Sequence, residues 1–384
     1  MKRMLENARR TRGWPFVVLG VTMVLIGLVG WLFFAYLLPL FQNISINVNG
    51  KGENILPPMN GETTVVDVTD KAQEVLLNSM NRHVSKPVIL GNEIYFVSGV
   101  SNSGNPRLRT FLVHRPGLVQ PIQQPDAGEN IQLKYDNILS FDINGDYIAY
   151  FDGKNTGGGS IHVFDRESQR TKEIAPVAYG WPEVKLAGHC VVWMERTGNI
   201  MDKLYVYEID TEEITTLAVF EDAPFGASHP GTARDEIVWA EQDEKHPESD
   251  AYGVLKILDL GGETPEITTF APGMYVYNPM TNGKTRAWSD KNKGEDAALF
   301  ISVEGTQSKR IAQGVESYGV AENFVAYTQG GAVWAYFFNE DKLCRVTKPG
   351  EYAYLATVGG HGVAWFDITD EKRERDILKY AILD

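Results

Sequence analysis

One pattern recurs seven times after residue 85 and constrains this chain more than any other feature. In each copy, alternating apolar and polar residues lead to an aromatic residue, and a polar loop and a second alternating run follow. Such alternation is typical of β-strands, whose side chains point to opposite faces in turn. The aromatic residues that end the first runs are Phe96, Tyr150, Trp193, Trp239, Trp288, Tyr327 and Trp365, spaced 38 to 54 residues apart.

A period of about 45 residues is typical of four-stranded propeller blades. We therefore predict an all-β fold, a β-propeller with seven blades, or six if the unit at Phe96 is misread. The last unit, from Tyr352 to Asp384, contains only three strand-like runs. The run "TTVVDV", residues 63–68, is predicted to close the ring as the fourth strand of that blade. Asp70 resembles a helix N-cap and predicts a short helix through Met80.

The N-terminal part has the composition of a membrane anchor. No charged side chain occurs between Gly13 and Gly50. Residues 14–41 are predicted to form one transmembrane helix, because an apolar helix of that length spans the hydrocarbon layer. A cleaved signal peptide is the alternative, although no small-residue cleavage site follows the apolar run.

Basic residues before the span set its predicted orientation. Residues 1–13 carry five Lys/Arg and one Glu, which places this tail in the cytoplasm. Residues 42–62 are predicted to be a stalk, and residues 63–384 an extracytoplasmic propeller, either extracellular or periplasmic. The chain is thus predicted to be a single-pass protein of a bacterial cell membrane.

The charge of the outer part limits its partners. The formal net charge is −14 while residues 1–41 carry +4, so the rest of the chain carries −18. This charge argues against nucleic acid and favours cations or basic partners. Cys190 and Cys344 are too few for a disulfide-stabilised fold. We predict that Cys190 is a buried free thiol, with a bridge to Cys344 as the alternative.

Acidic residues follow the aromatic positions at a fixed distance. Five units carry an acid two residues after the aromatic, on the same side of the strand and at its end. One hypothesis is that each carboxylate accepts N–H bonds from its own loop. The other is that the acids form a partial ring that binds a basic peptide, a cationic group or Ca²⁺. These residues are Asp152, Glu195, Glu241, Asp290 and Asp367.

The connections into the innermost strands are expected on the same face as those acids. They bring aromatic side chains and one histidine to the mouth of the central channel, with Lys86 at the first unit. Such residues can bind a peptide or carbohydrate, or they can pack one blade against the next. The predicted set is Trp181, His229, Tyr277, Tyr318 and Tyr354.

The repeats resemble a known family. The run "WPEVKLAGHCVVW" followed by "LYVYEIDTEEITTL" is similar to the extracytoplasmic propellers related to TolB and to the N-terminal half of prolyl-oligopeptidase-type enzymes. The resemblance covers roughly residues 86–384. It implies a propeller fold outside the cytoplasm and leaves the function open.

The sequence contains no motif for catalysis. It has no G-x-S-x-G elbow of a serine hydrolase, and its seven histidines lack metal-ligand spacing. We therefore predict a non-enzymatic protein without a cofactor, acting as an interaction or scaffold module at the cell envelope. The alternatives are a ligand, glycan or cation sensor and, third, a hydrolase or lyase with acids in the channel.

Overall fold

The computed structural model describes most of the chain from Thr63 onward. The predicted tail, anchor and stalk in residues 1–62 lie outside the described residues. Within the described part, no helix combines the length and the apolar character needed to cross a membrane. The described residues are 63–77, 83–99, 110–115, 122–123, 133, 137–154, 157–196, 201–220, 225–247, 249, 251–262, 264–291, 297–370, 372 and 375–383.

Strands make up nearly all regular structure in these ranges, with two short 3-10 helices at Thr69–Lys71 and Phe225–Ala227. In chain order the strands are β1 (Thr64–Asp67), β2 (Gln73–Glu74), β3 (His83–Val84), β4 (Val88–Leu90), β5 (Glu93–Gly99), β6 (Thr110–His114), β7 (Ile122–Gln123), β8 (Ile138–Ile143), β9 (Tyr147–Gly153), β10 (Gly159–Asp165), β11 (Arg170–Val177), β12 (Val184–Ala187), β13 (Cys190–Arg196), β14 (Met201–Glu208), β15 (Glu213–Val219), β16 (Gly231–Ala233), β17 (Glu236–Gln242), β18 (Gly253–Asp259), β19 (Glu266–Met274), β20 (Tyr277–Thr281), β21 (Thr285–Ser289), β22 (Ala298–Val303), β23 (Lys309–Gln313), β24 (Val315–Val320), β25 (Phe324–Gln329), β26 (Ala332–Phe337), β27 (Lys342–Arg345), β28 (Ala353–Gly359), β29 (Gly362–Asp367) and β30 (Leu378–Ile382).

These strands form seven sheets, which we number as blades 1 to 7 in chain order. Blades 2 to 5 are the antiparallel sheets β8–β11, β12–β15, β16–β19 and β20–β23. Blade 1 contains β3 to β7, with β3 and β4 both paired to β5. Blade 6 contains β24–β27 with β1 added outside, and blade 7 contains β28–β30 with β2. The prediction of a seven-bladed all-β propeller is confirmed, and the unit at Phe96 is a blade.

The first strands of the blades surround a central channel. Each of β4, β8, β12, β16, β20, β24 and β28 contacts the first strand of the next blade, and β28 contacts β4, so the ring is closed. Apolar clusters fill the spaces between neighbouring blades, as between blades 1 and 2 and between blades 6 and 7. Stacking of blades therefore supplies the core that no single sheet could form.

The recurring aromatic residue of each blade lies in these clusters. All seven are at most 3% exposed. Trp239 and Trp288, for example, belong to one cluster shared by blades 3, 4 and 5. Burying one large ring per blade gives a stabilising contribution of roughly 1.5–3 kcal/mol each, which explains why the pattern recurs.

The two cysteines lie in different blades. Cys190 is in β13 of blade 3, and Cys344 is in β27 of blade 6. Both are buried and free, so the predicted free thiol at Cys190 is confirmed and no bridge joins them.

The ring closes through a different strand from the one predicted. Residues 64–67 form β1, which pairs in parallel with β27 of blade 6. The fourth strand of blade 7 is β2, which pairs antiparallel with β30 through Gln73 and Glu74. The predicted helix from Asp70 is also wrong, because the chain makes only one 3-10 turn before β2.

Side-chain burial explains this outcome. Val65 in β1 is 46% exposed, whereas Val75 and Leu77, which follow β2, are 1% and 5% exposed. Those two side chains pack with Phe96 of blade 1 and Leu378 of blade 7 in one apolar cluster. The segment after β2 thus fills the interface between the first and last blades, which the more exposed β1 cannot do.

A buried histidine at that interface should make stability depend on pH. His114 in β6 is 2% exposed, stacks edge-on against Tyr380 of blade 7 at 5.1 Å, and has no hydrogen-bond partner for either ring nitrogen among the described residues. Burial lowers the pKa of His114, so the folded state favours the neutral ring. The stabilising contribution is complete above the ordinary pKa of about 6.5 and decreases as pH falls below it.

We expect the free energy of unfolding of the wild-type protein, measured by urea denaturation, to decrease between about pH 7 and about pH 5. The decrease should be smaller for His114→Phe over the same interval. Phenylalanine keeps the ring contact with Tyr380 but cannot be protonated. Equal pH dependence in the two proteins would contradict this role for His114.

Candidate functional site

Two kinds of connection meet on one face of the propeller, which we call the loop face. They are the loops between second and third strands and the segments that lead into first strands. The Gly158 N–H, in a loop of blade 2, donates to the Gly180 carbonyl before β12 at 3.3 Å. The Ala353 N–H, where β28 begins, donates to the Gly331 carbonyl of blade 6 at 2.7 Å. The predicted acids and aromatic residues therefore lie on the same face.

Two of the five predicted acids fix the backbone next to them. One Asp152 carboxylate oxygen accepts the Asn137 N–H at 2.6 Å, which holds the start of β8 against the end of β9. One Asp290 oxygen accepts the Ala298 N–H at 2.8 Å and closes the loop between β21 and β22. Both contacts fit the hypothesis of local loop bonding.

Asp367 belongs to a partly buried ion-pair group in blade 7. Its Oδ2 lies 2.7 Å from Lys379 Nζ, and its Oδ1 accepts the Thr369 N–H at 3.0 Å. Glu351 Oε1 also contacts Lys379 Nζ, at 3.0 Å. Burial would raise the pKa of Asp367, but the bonds from Lys379 and Thr369 outweigh it and the pKa is lowered.

The two glutamates of the set differ from each other. Glu241 Oε1 accepts the Trp239 indole N–H at 2.7 Å, and its other oxygen lies 3.8 Å from Lys256 Nζ. The carboxylate of Glu195, in β13, makes no hydrogen bond and no ion pair with another described residue. In the described part of the chain, no group of three or more His, Cys, Asp or Glu side chains is arranged to hold a metal ion.

These contacts predict unequal effects of substitution. Asp152→Ala should destabilise the propeller by about 1–2 kcal/mol, because the Asn137 N–H loses its charged acceptor. Glu195→Ala should change the free energy of unfolding by less than about 0.5 kcal/mol. Urea unfolding of both variants measures the difference. A loss at Glu195 as large as that at Asp152 would show that the two acids have the same structural role.

Exposed aromatic side chains lie on the loop face. Trp181, which was predicted, is 61% exposed, and Tyr354 is 49% exposed. Tyr179, which we did not predict, is 68% exposed and lies two residues before Trp181 on the same connection. The other large hydrophobic side chains that stand out among the described residues are aliphatic. We call Tyr179, Trp181 and Tyr354 the aromatic group of the loop face.

The other predicted aromatics have structural roles. Tyr277 is buried, and the Tyr318 hydroxyl lies 2.7 Å from the Tyr277 carbonyl, to which it can donate. The Ser289 N–H donates to the Tyr318 oxygen at 3.0 Å, so the phenol joins blades 5 and 6, and burial raises its pKa. The His229 N–H donates to Asn278 Oδ1 at 2.9 Å and thereby links blades 4 and 5. These three residues hold the rim of the channel together.

Charged side chains from separate blades meet at the channel mouth. Lys86 Nζ, before β4 of blade 1, lies 2.6 Å from Glu183 Oε1, before β12 of blade 3. Glu183 Oε2 is also 3.9 Å from His229 Nδ1 at the start of blade 4. Blades 1 and 3 are not neighbours in the ring, so the Lys86–Glu183 pair reaches across the channel. We call Lys86, Asp142, Glu183, Lys185 and His229 the channel-mouth cluster.

The charges of the cluster shift the pKa values of its own members. Although burial opposes it, the charges of Lys185, Lys86 and His229 hold the pKa of Glu183 well below its usual range. Glu183 in turn raises the pKa of Lys86. Both groups are therefore charged across the neutral range. Perturbed pairs of this kind are typical of binding sites and also of structural ion pairs.

Sequence reasoning found Lys86 and His229 of this cluster but not the other members. A signal was present in "WPEVKL", where Glu183 directly precedes an innermost strand and Lys185 lies within it, two residues later. An innermost strand contacts water only along the channel, so charged residues there point into it.

Comparison with known proteins shows the fold alone. No family model matches the chain, and no curated protein matches it. The β-propeller domain of the Trilobed protease from Pyrococcus furiosus matches with TM-score 0.54 and 14% identity, over 80% of this chain and 97% of that chain. A prolyl endopeptidase matches with TM-score 0.52 and 12% identity, over 79% of this chain and 50% of that chain.

TolB from Acinetobacter baumannii matches with TM-score 0.35 and 13% identity, over 76% of this chain and 63% of that chain, which is too weak to carry an argument. The resemblance to peptidase-type propellers is confirmed for the fold. This chain spans about half of the prolyl endopeptidase it matches. The Pyrococcus furiosus propeller is described as having an open velcro topology, whereas here β2 pairs with β30 of the last blade and Val75 and Leu77 after it pack against the first.

Proposed function

We propose that this chain is a membrane-anchored, extracytoplasmic β-propeller that acts as a protein-interaction or scaffold module at the cell envelope. Its loop face is the proposed contact surface. Residues 14–41 are the proposed anchor, with the N-terminus in the cytoplasm.

The observation that carries this proposal is the aromatic group of the loop face. Tyr179 and Trp181, on one connection, and Tyr354, at the start of β28, are each about half exposed or more. Tyrosine and tryptophan are enriched among the residues that contribute most to protein interfaces. Large exposed aromatic side chains cost solvation energy unless a partner covers them.

The charge of the chain limits the kind of partner that we propose. Outside residues 1–41 the formal charge is −18, which favours a protein with basic groups and disfavours nucleic acid. We propose a non-enzymatic role, because the sequence carries no nucleophile elbow or metal-ligand motif. The peptidase activity named for structural neighbours belongs to those proteins.

The proposed binding role is tested by purifying the full-length protein from native membranes in mild detergent. Wild type is compared with Tyr179→Ala/Trp181→Ala and with the control Ile214→Ala/Ile267→Ala. The control removes side chains that are 47% and 51% exposed on outer strands β15 and β19. We expect a stoichiometric partner with wild type and control that is lost from the aromatic variant. A partner retained by the aromatic variant, or no partner at all, would contradict the proposal.

The proposed anchor has a separate test. The full-length protein should sediment with membranes and require detergent for release, and protease added outside intact spheroplasts should cut the propeller. A protein found in the soluble fraction, or protected from external protease, would contradict the proposed topology.

A ligand sensor is the second candidate, and the channel-mouth cluster is the observation that favours it. Partly exposed charges at a channel mouth can orient a small molecule as well as hold blades together. A soluble ligand that raises the melting temperature of the protein without any partner protein would favour the sensor.

A further inference from the structure

Lys185 is the member of the channel-mouth cluster whose ammonium group lacks a direct partner. It lies in β12 between Val184 and Leu186, which are buried in the cluster between blades 2 and 3. Because side chains alternate along a strand, Lys185 points to the other side of β12. Its Nζ makes no hydrogen bond and no ion pair with any described residue.

The position of Lys185 is the channel mouth. Its electrostatic neighbours include Glu183 of its own blade, Asp142 of blade 2 and Lys86 of blade 1. Since blade 1 does not adjoin blade 3, Lys86 can approach Lys185 only across the channel. Lys185 is partly exposed, so water or a ligand in the channel can reach it.

The two nearby carboxylates are already engaged. Asp142 accepts the Leu186 N–H at 2.8 Å through Oδ2 and the Ile143 N–H at 2.9 Å through Oδ1. Glu183 is paired with Lys86. An ammonium group carries three donors, so Lys185 can bind a further acceptor in the channel. Partial burial lowers the pKa of Lys185, and the charge of Glu183 opposes this effect.

We propose that the channel mouth binds a carboxylate group, with Lys185 as its main contact and Lys86 as the second. The inference rests on the proposed function, because the carboxylate would belong to what the loop face binds. A single negative charge fits better than a phosphate, since Glu183 and Asp142 would repel a second charge. The adjoining apolar part of the ligand would pack against Trp181 and Tyr354, which are exposed beside the mouth.

The test uses full-length protein in lipid nanodiscs and isothermal titration with three probes. They are N-acetylphenylalanine, its uncharged amide, and N-acetyl-Ala-Ala-Ala-Phe with a free carboxylate. The proteins are wild type, Lys185→Met, Glu183→Gln, and the control Lys284→Met, which removes an exposed lysine from the turn between β20 and β21. Melting curves check that each variant is folded.

Wild type and Lys284→Met should bind the acid with a dissociation constant below about 1 mM and the amide at least about tenfold more weakly. Lys185→Met should lose about tenfold or more for the acid, and Glu183→Gln should bind it at least as tightly as wild type, because Lys86 is then released. If the tetrapeptide binds about tenfold more tightly than the small acid, the bound carboxylate is the terminus of a peptide. If the two bind with equal affinity, the carboxylate belongs to a small molecule.

Equal binding of acid and amide, unchanged binding by Lys185→Met, or no binding of the acid at about 10 mM would overturn the carboxylate site. These results are distinct from failure of the proposed function. A partner lost from the Tyr179/Trp181 variant but insensitive to Lys185→Met would leave the interaction role in place without this site.

Discussion

Removing residues 1–77 is expected to destabilise the propeller by more than about 5 kcal/mol relative to a chain that begins at residue 63. The deletion takes away β1 and β2 and with them the fourth strand of blade 7. It also removes Val75 and Leu77, which are buried between blades 1 and 7. The Tyr380 hydroxyl would lose its hydrogen bond to Gln73, which is 2.7 Å long.

Guanidinium unfolding of the two truncated proteins measures this difference. If the shorter chain does not fold, graded variants give the same information. Val75→Ala should cost about 2 kcal/mol because it leaves a cavity in a packed interface, and Val65→Ala less than about 0.5 kcal/mol because that side chain is largely in water. Equal stability of the two truncated proteins would show that β2 and the residues after it do not stabilise the closed ring.

Replacing Lys379 by methionine is expected to cost about 3–5 kcal/mol. Lys379 Nζ lies 3.0 Å from Glu351 and 2.7 Å from Asp367, and the carboxylate side chains are only 8% and 12% exposed. The substitution therefore leaves two partly buried carboxylates facing each other without a cation. Lys348→Met, which changes an exposed lysine between blades 6 and 7, is the matched control and should be nearly neutral.

The pH dependence of this variant separates lost charge pairing from lost packing. The pKa of Asp367 is lowered in the folded protein, so its contribution is complete above the ordinary value of about 3.9 and is lost as pH falls through the folded value. The difference between wild type and Lys379→Met should therefore shrink as the medium becomes strongly acidic. A difference that stays constant with pH would assign the effect to packing.

The seven blades could be predicted because each repeat buries one large aromatic residue, such as Trp365 or Tyr150, at a regular spacing. Strand β2 could not, since a pair of residues has no periodicity and its contacts lie about 300 positions away in the chain. The polar run around Asp70 favoured a helix locally, and the tertiary pairing with β30 overrode that preference.

The candidate site was predictable only in outline. Alternation along strands predicts Asp152 at the end of its strand, where β9 has it, but its bonding partner Asn137 depends on how loops meet. The Lys86–Glu183 pair joins residues 97 positions apart across the channel, and no local pattern indicates it. Whether an aromatic residue at the rim is exposed, like Trp181, or buried, like Tyr277, likewise depends on the neighbouring blade.

The most direct test of the proposed interaction role is photo-crosslinking in intact cells. A photoreactive phenylalanine analogue is placed at Trp181 or Tyr179 on the loop face, and at Ile214 on the outer strand β15 as the control. If the loop face is the contact surface, both loop-face positions crosslink to the same protein and the Ile214 position does not. Crosslinks to that protein from Ile214 alone, or none from the loop face, would contradict the proposed function.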